Sequence, residues 1–369
     1  MYSKIIVPLD GSVLAEKALP YAASLTKQLN ATLVLLRIEE ARPLVVNFSQ
    51  APQREAGNIV YSGNMQPNNR SPGVDGSLDH YQTITSNIEE QPDEDYLQKV
   101  KGTLVGTVSQ TLLKAEQIQT RVVCGRSPKE LAAIVEEEQA DLIVMTTHGR
   151  SGLSLLLTGS VATKLIHNTN LPVILIKSDE MQGLEKAEKQ AININEDPIL
   201  VTLDGTVGSE TILEAAANLA QQLGVKIHLF EVASPVMPSV VIPNMNGGLG
   251  GYYYLPDYDL DKESKVLQGK TEQYLHEIQA RLRKKGVECL TVVQIDEPEA
   301  TLEYNEEPLS KIIAYAKKVK AQLVAMTTHG RGRLGQLVLG SVAEEVVRQS
   351  HLPVMLIKNE GHLNHPDKS

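Results

Sequence analysis

The sequence predicts an α/β protein made of two tandem doubly wound domains. Each is expected to be a five-stranded, mainly parallel sheet with strand order 3-2-1-4-5. Three observations predict it. A loop is written twice: residues 145–160 read MTTHGRSGLSLLLTGS, residues 326–341 read MTTHGRGRLGQLVLGS, and ten of the sixteen positions agree. The echo continues on both sides of the loop with a period of about 180 residues, far beyond solenoid repeats and matching a whole domain. Within each half, short runs of Ile, Val and Leu alternate with segments of helical spacing, the pattern of parallel βαβ crossovers.

The elements follow in order. Ile5–Leu9 and Ile199–Leu203 are short apolar runs, read as strands buried on both faces. IIVPLDGSVLAEKAL returns as ILVTLDGTVGSETIL, which aligns Asp10 with Asp204, Gly11 with Gly205, Ser12 with Thr206 and Glu16 with Glu210. A helix is expected after each Asp-Gly turn, from the spacing of Ala15, Leu19, Ala22 and Ala23 and of Ile212, Ala216, Leu219 and Ala220. Second strands are expected at Thr32–Ile38 and Lys226–Val232. Helices over about 96–117 and 263–285 and third strands at Thr120–Cys124 and Glu288–Ile295 come next. Helices over about 128–138 and 308–319, then DLIVMTT and QLVAMTT, precede the repeated loop. A helix beginning near the Gly-Ser pair and a last strand, LPVILIK or LPVMLIK, complete each unit. Such a unit is Rossmann-like or flavodoxin-like. Domains are expected at 1–178 and 198–360, with a charged linker at 179–197 and a frayed tail at 361–369.

Two segments interrupt this plan, about 41–92 and 234–262. Both are rich in Pro, Gly and Asn and are expected to be loops or lids. Tyr252, Tyr253 and Tyr254 in the second can stack on a base or partner, or pack the loop onto its own domain. Trp is absent and Phe occurs twice among 369 residues, so the cores must be aliphatic. A net charge of −10 argues against nucleic-acid and anionic-membrane partners. No run approaches the ~18–20 apolar residues of a membrane span, and MYSKIIVPLDGS lacks a secretory core, so a cytoplasmic location is expected. The two cysteines, Cys124 and Cys289, form neither metal spacing nor a disulfide framework. Cys124 reads as a small core hydrophobe.

In doubly wound sheets ligands bind beyond the carboxyl ends of the strands, where the strand order reverses. The Asp10 and Asp204 turns and both copies of the repeated loop fall on that edge. Gly149 and Gly330 follow a strand where the chain must turn sharply. Gly159-Ser160 and Gly340-Ser341 stand where a helix begins, with Ser as the expected N-cap and Gly letting a ligand approach the backbone. Amides in that helix's first turn make an anion site, and Arg150 and Arg331 add positive charge. His148 and His329 read as turn residues or as bases. Asp10 and Asp204 read as ligand contacts or as turn formers.

These residues resemble the universal stress protein family in its tandem form. Its nucleotide-binding motif, Gly-x2-Gly-x9-Gly-Ser/Thr, is matched by Gly149, Gly159 and Ser160 and by Gly330, Gly340 and Ser341. The motif's first Gly is replaced by Thr146 and Thr327. The resemblance implies an adenine-nucleotide (ATP or AMP) site, with Mg²⁺ as an accompanying ion, in a ligand-dependent stress-response module. It further implies that Asp10 and Asp204 contact the nucleoside and that the backbone at Ile38 and Val232 holds the adenine. Gly125, with Pro128, lines the pocket, and Pro8, Val161 and Val342 belong to the same implied set. The second half replaces Gly-x-x-Pro with DEPEATLEYNEEP, whose carboxylates would repel a triphosphate, so the first half is expected to bind better. The resemblance also implies an intramolecular pseudo-dimer through the strands ending at Lys177 and Lys358. A further homodimer, a protein partner, slow ATP hydrolysis or nucleotidyl transfer, and a scaffold with vestigial pockets stay open.

Overall fold

The computed structural model describes residues 1–39, 91–106, 113–124, 128–147, 160–177, 197–235, 239–243, 249–254, 259–296, 308–328 and 339–359. The expected linker (save residue 197), the tail and nearly all of the first insert lie outside them. The strands are β1 (Lys4–Leu9), β2 (Thr32–Glu39), β3 (Ile118–Cys124), β4 (Leu142–Thr146), β5 (Val173–Ile176) and β6 (Ile199–Leu203). There follow β7 (Ile227–Ala233), β8 (Ser239–Pro243), β9 (Leu249–Tyr254), β10 (Cys289–Ile295), β11 (Leu323–Thr327) and β12 (Val354–Ile357). Ten of them form one sheet in the order β10-β7-β6-β11-β12-β5-β4-β1-β2-β3. Each half therefore has the expected order 3-2-1-4-5.

All pairings in this sheet are parallel except the middle one. There β12 runs antiparallel to β5, with Val354 opposite Leu175, Met355 opposite Ile174 and Leu356 opposite Val173. The last strands of the two halves thus join the chain into a single sheet, as the pseudo-dimer expectation required. A twofold relation normal to the sheet keeps equivalent faces on the same side, and the side chains sort accordingly. Ile5, Val7, Leu142, Val144, Ile199, Val201, Leu323 and Ala325 belong to one core. Their neighbours Ile6, Ile143, Met145, Leu200, Val324 and Met326 belong to the other. Strands covered on both faces need no polar alternation, which is why they read as continuous apolar runs.

Helices α1 (Val13–Glu16), α2 (Leu19–Leu29), α3 (Gln91–Gly106), α4 (Pro128–Glu137) and α5 (Ser160–Asn168) serve the first half. Helices α6 (Ile212–Leu223), α7 (Leu260–Lys284), α8 (Pro308–Lys318) and α9 (Ser341–Gln349) serve the second. Residues of α2, α3, α6 and α7 cover one face, and residues of α4, α5, α8 and α9 the other. Pairs α2 and α6 end alike, with Asn30 at φ 49° and Gly224 at φ 69° closing them in the left-handed conformation. Asn30 is therefore a helix cap. The halves are also tied at their edges. The Tyr2 hydroxyl donates to the Ala215 carbonyl at 2.9 Å, and Gln222 bonds both backbone groups of Tyr2.

Three expectations need correction. The single helix expected through Ala15–Ala23 is two, because Pro20 lacks the N–H that would bond back to Glu16, and the break falls at Lys17–Ala18. The helix expected over 96–117 runs from Gln91 to Gly106, and residues 115–117 form a separate 3-10 turn closed by Gln117, whose Oε1 accepts from the Lys114 N–H. The second insert is not purely loop: β8 and β9 pair antiparallel, with Val241 opposite Tyr252 and Val240 opposite Tyr253.

Among the described residues no helix is long and apolar enough to cross a membrane. Cys289 is buried, and burial pushes its thiol up to about 11, so it is a core residue and a poor nucleophile. The side chain of Cys124 lies outside the described set.

His228 sits where the first half has Val34, in β7, with Nδ1 3.0 Å from the Tyr315 hydroxyl of α8. Burial, and then the charge of Lys226, hold its imidazole below the ordinary value of 6.5. The folded chain therefore binds fewer protons than the unfolded chain just below that value. Stability contributed by neutral His228 is fully present above pH 6.5 and declines as pH falls toward the lowered folded value. His228→Val should flatten the urea midpoint against pH over that interval, and a slope unchanged by the substitution would refute the assignment.

Candidate functional site

The crevice begins where the sheet parts. β1 pairs with β2 along its whole length, from Lys4–Thr32 to Leu9–Arg37. With β4 it pairs only at Ile5–Leu142 and Ile6–Ile143. Pro8, buried near the end of β1, has no N–H to continue that ladder. The second half parts at a similar level, its ladder between β6 and β11 ending at Val201–Ala325. Helices lie on opposite faces on either side of each parting, so a cleft opens between the strand ends.

Asp10 stands at one lip. Its Oδ1 accepts from the Ser12 N–H at 2.9 Å, and the Ser12 hydroxyl caps α1 by accepting from the Ala15 N–H at 3.1 Å. Gly11 between them adopts φ 79°. The second half repeats the device: Asp204 Oδ1 accepts from the Thr206 N–H at 3.0 Å and hydroxyl at 2.6 Å, with Gly205 at φ 78°. Both acids are thus turn formers, each using one carboxylate oxygen for the turn.

At the opposite lip, Thr146 and Thr327 end β4 and β11 with only 5% exposure. Their side chains are walls of the strand ends, and do not project into open space. Thr147 and Thr328 follow, their N–H groups donating to Ile176 and Ile357 carbonyls at 3.0 and 2.9 Å. Helix α9 then starts at Ser341. Its N-cap is Gly340, with φ −69° and ψ 158°, and no side chain caps the first turn. The expectation of Ser341 as cap is therefore corrected: the serine is the first helical residue. A glycine cap leaves the first-turn amides to whatever fills the cleft. Helix α5 spans Ser160–Asn168, with Val161 second in it. Val342 is partly buried against the core of that face.

At the back, Ile38 and Val232 lie in register with Val123 and Gln294 of the third strands. Gly125, His148, Gly149, Arg150, Gly159, His329, Gly330 and Arg331 lie outside the described residues. Of the acidic stretch in the second half, Asp296 is described. It is 7% exposed, takes an ion pair from Lys311 of α8 at 2.5 Å, and accepts from the Ser234 hydroxyl at 3.2 Å. That carboxylate is neutralised locally. Among the described residues no group of three His, Cys, Asp or Glu is placed to hold a metal ion.

Two residues missed in the sequence complete the floor. Arg37, at the end of β2, is 7% exposed; Nη1 donates to the Leu9 carbonyl at 3.4 Å, and the guanidinium lies 5.5 Å from the centre of the Tyr96 ring. The Tyr96 hydroxyl donates to Glu16 Oε1 at 2.9 Å. Burial, then that hydrogen bond, holds the phenol above its ordinary range. The register that pairs Leu9 with Arg37 pairs Leu203 with Glu231, so the second half has an acid where the first has a cation. Tyr274 corresponds to Tyr96, since each precedes the matching core residues Leu97, Val100 and Leu104 or Leu275, Ile278 and Leu282. The signals were present. DYLQKVKGTL echoes QYLHEIQARL, and a charge inside an apolar strand must find a partner.

The universal stress protein family model matches residues 1–63, 74–177 and 252–358. Universal stress protein MJ0531 of Methanocaldococcus jannaschii is 26% identical over 186 residues, 49% of this chain and 86% of that protein. Universal stress protein Mb2019 of Mycobacterium bovis is 24% identical over 356 residues, 96% of this chain and 94% of that one. A universal stress protein from Archaeoglobus fulgidus has a similar fold, with a TM-score of 0.56 at 19% identity over 96% of this chain and 98% of that chain.

Proposed function

This chain belongs to the universal stress protein family, and from that premise we propose that it binds an adenine nucleotide, ATP or AMP, as a ligand-dependent regulatory module. One observation carries the reading. In the first half the β1–β4 ladder stops at Ile6–Ile143, and the Asp10 turn follows β1 as the start of α5 follows β4 on the same edge of the sheet, which supports a cleft between them. Such a cleft offers a nucleoside an acid on one lip and a polyphosphate the amides of a helix start on the other. Charged acceptors gain about 1.5–3 kcal/mol per hydrogen bond, so three or four amides support micromolar affinity after ordering costs. Mg²⁺, where it takes part, travels with the phosphates.

The regulatory character rests on the seam. Both halves contribute to one continuous sheet, so a ligand bound in one half acts on a sheet shared with the other. The Asp10→Ala and Gly159→Val variants should each weaken ATP binding to the full chain by at least about tenfold, equivalent to ~1.4 kcal/mol, with unchanged circular dichroism. Calorimetry that finds wild-type affinity in both variants would end the reading.

A further inference from the structure

The ten-stranded sheet has two outer edges, β3 in the first half and β10 in the second. The repeat lets them be compared residue by residue. Leu33 faces Ile118 where Ile227 faces Cys289, so Gln119, Thr120 and Arg121 correspond to Leu290, Thr291 and Val292. The first edge is guarded. Arg121 is ion-paired with Glu138 at 3.2 Å, the Thr120 hydroxyl donates to Glu94 at 3.1 Å, and Lys101 of α3 donates to the Ile118 carbonyl at 2.7 Å. Charged side chains on an outer strand are a common defence against pairing with another chain. The second edge has no such guard on the strand itself. β10 reads CLTVVQI, with no charge and no proline, and Leu290 is 49% exposed.

The backbone of β10 is open in the same place. The Ile227 N–H donates to the Glu288 carbonyl and the Asp296 N–H to the Ala233 carbonyl, each at 2.9 Å. In a parallel ladder alternate residues of a strand bond to a given neighbour. Glu288, Leu290, Val292, Gln294 and Asp296 therefore engage β7, and Cys289, Thr291, Val293 and Ile295 turn their amides and carbonyls outward. The end carbonyls of that outward row are taken: Gln279 of α7 donates to Cys289 at 2.6 Å and Lys311 of α8 to Ile295 at 3.3 Å. Between them, among the described residues, nothing bonds the outward groups of Thr291 and Val293. A row of open donors and acceptors flanked by apolar side chains fits an extended strand.

We infer that β10 is a dimerisation edge, where a second copy of this chain pairs antiparallel through its own β10 about a twofold axis at Val292. Charge selects that partner and that direction. Arg283, Lys284 and Lys285 lead into the strand, all of them exposed, and the sequence leaving it reads DEPE. An antiparallel copy sets each basic approach beside the other's acidic exit, whereas a parallel copy sets like beside like. With the axis at Val292, Thr291 of one copy lies opposite Val293 of the other, and about four hydrogen bonds close the open row. The same register sets Val292 against Val292 and Leu290 diagonally beside it, on the face that α8 covers, so the exposed leucine gains an apolar neighbour. Two ten-stranded sheets become one. Such pairing needs no nucleotide and stands apart from the proposed binding function.

The test is the mass of the full chain by sedimentation equilibrium over a wide range of concentration. The wild type should show a reversible monomer–dimer equilibrium, with amide exchange at Thr291 and Val293 slowing as concentration rises. Thr291→Pro removes an outward N–H and none that β7 uses, and should weaken the dimer by at least about tenfold. Should that variant fold poorly, Leu290→Gln combined with Val292→Arg rewrites the edge with the residues that β3 carries at the same positions, and should weaken the dimer as much. A wild type that stays monomeric would leave the edge to a strand of some other protein and overturn the inference. A dimer that survives in a folded variant would place the contact elsewhere and overturn it too. So would assemblies that grow beyond two copies, as pairing of β10 with the next copy's β3 would give.

Discussion

Replacing Met355 with aspartate will cost the chain about 4 kcal/mol or more and will expose strand β5, which belongs to the other half. Met355 lies on β12 with no exposed surface, opposite Ile174 of β5, and both side chains sit in the same core. A carboxylate there has no partner, and burying an unpaired charge is among the few mechanisms that reach this size. The informative readout is where the damage travels. Among the described residues the backbone groups of β5 on the seam side pair with β12, so hydrogen exchange over residues 173–176 should accelerate together with that over 354–357. Should Met355→Asp fully unfold the chain, Met355→Ala, which leaves a cavity costing about 2–5 kcal/mol, gives the milder version. Protection retained across β5 while β12 opens would show that the halves do not share a sheet in solution.

The seam was legible in the sequence because duplication is legible. Two last strands of matching composition, LPVILIK and LPVMLIK, each need an edge partner, and each is the other's nearest candidate. The strand order was legible for a similar reason. Strands such as Ile5–Leu9 and Ile199–Leu203 are runs of apolar residues interrupted only by Thr202, a pattern that fits a sheet covered on both faces, and that class has few topologies.

What escaped lay at the scale of single residues acting over distance. The helix expected over 96–117 followed apolar spacing that runs on toward Leu113, whereas α3 spans Gln91–Gly106 and residues 115–117 form a separate turn. The β8–β9 pair escaped because a segment rich in Pro, Gly and Asn has the composition of a loop even where its Val and Tyr residues pair across strands. In the site, the Asp-Gly turns were found because local spacing encodes them. Arg37, Tyr96 and Glu16 were not, since three elements remote in sequence bring them together. The N-cap was misassigned by one residue: serine is the commoner cap, yet Gly340 holds the extended backbone that a cap requires.

Gly11→Ala is the sharpest probe of that floor, and it should cost roughly 2–3 kcal/mol where a simple turn glycine costs about 1–2. At φ 79° any Cβ is strained, and this one would also press on the Arg37 guanidinium 3.2 Å away. The arginine cannot withdraw freely, because it is buried between the Leu9 carbonyl and the Tyr96 ring. Gly224→Ala supplies the control. It has φ 69°, so it carries the same kind of backbone strain, but nothing stands within 4 Å of its added carbon. The difference between the two losses, measured by urea denaturation, isolates the energy with which Arg37 is held. Because the Gly11 turn also presents Asp10 to the cleft, Gly11→Ala should weaken ATP binding by at least about tenfold as well, or ~1.4 kcal/mol, whereas Gly224→Ala should leave it unchanged. Equal destabilisation by the two substitutions, with equal ATP affinity, would mean that Arg37 yields without resistance and that the charge beneath the turn is not fixed in place.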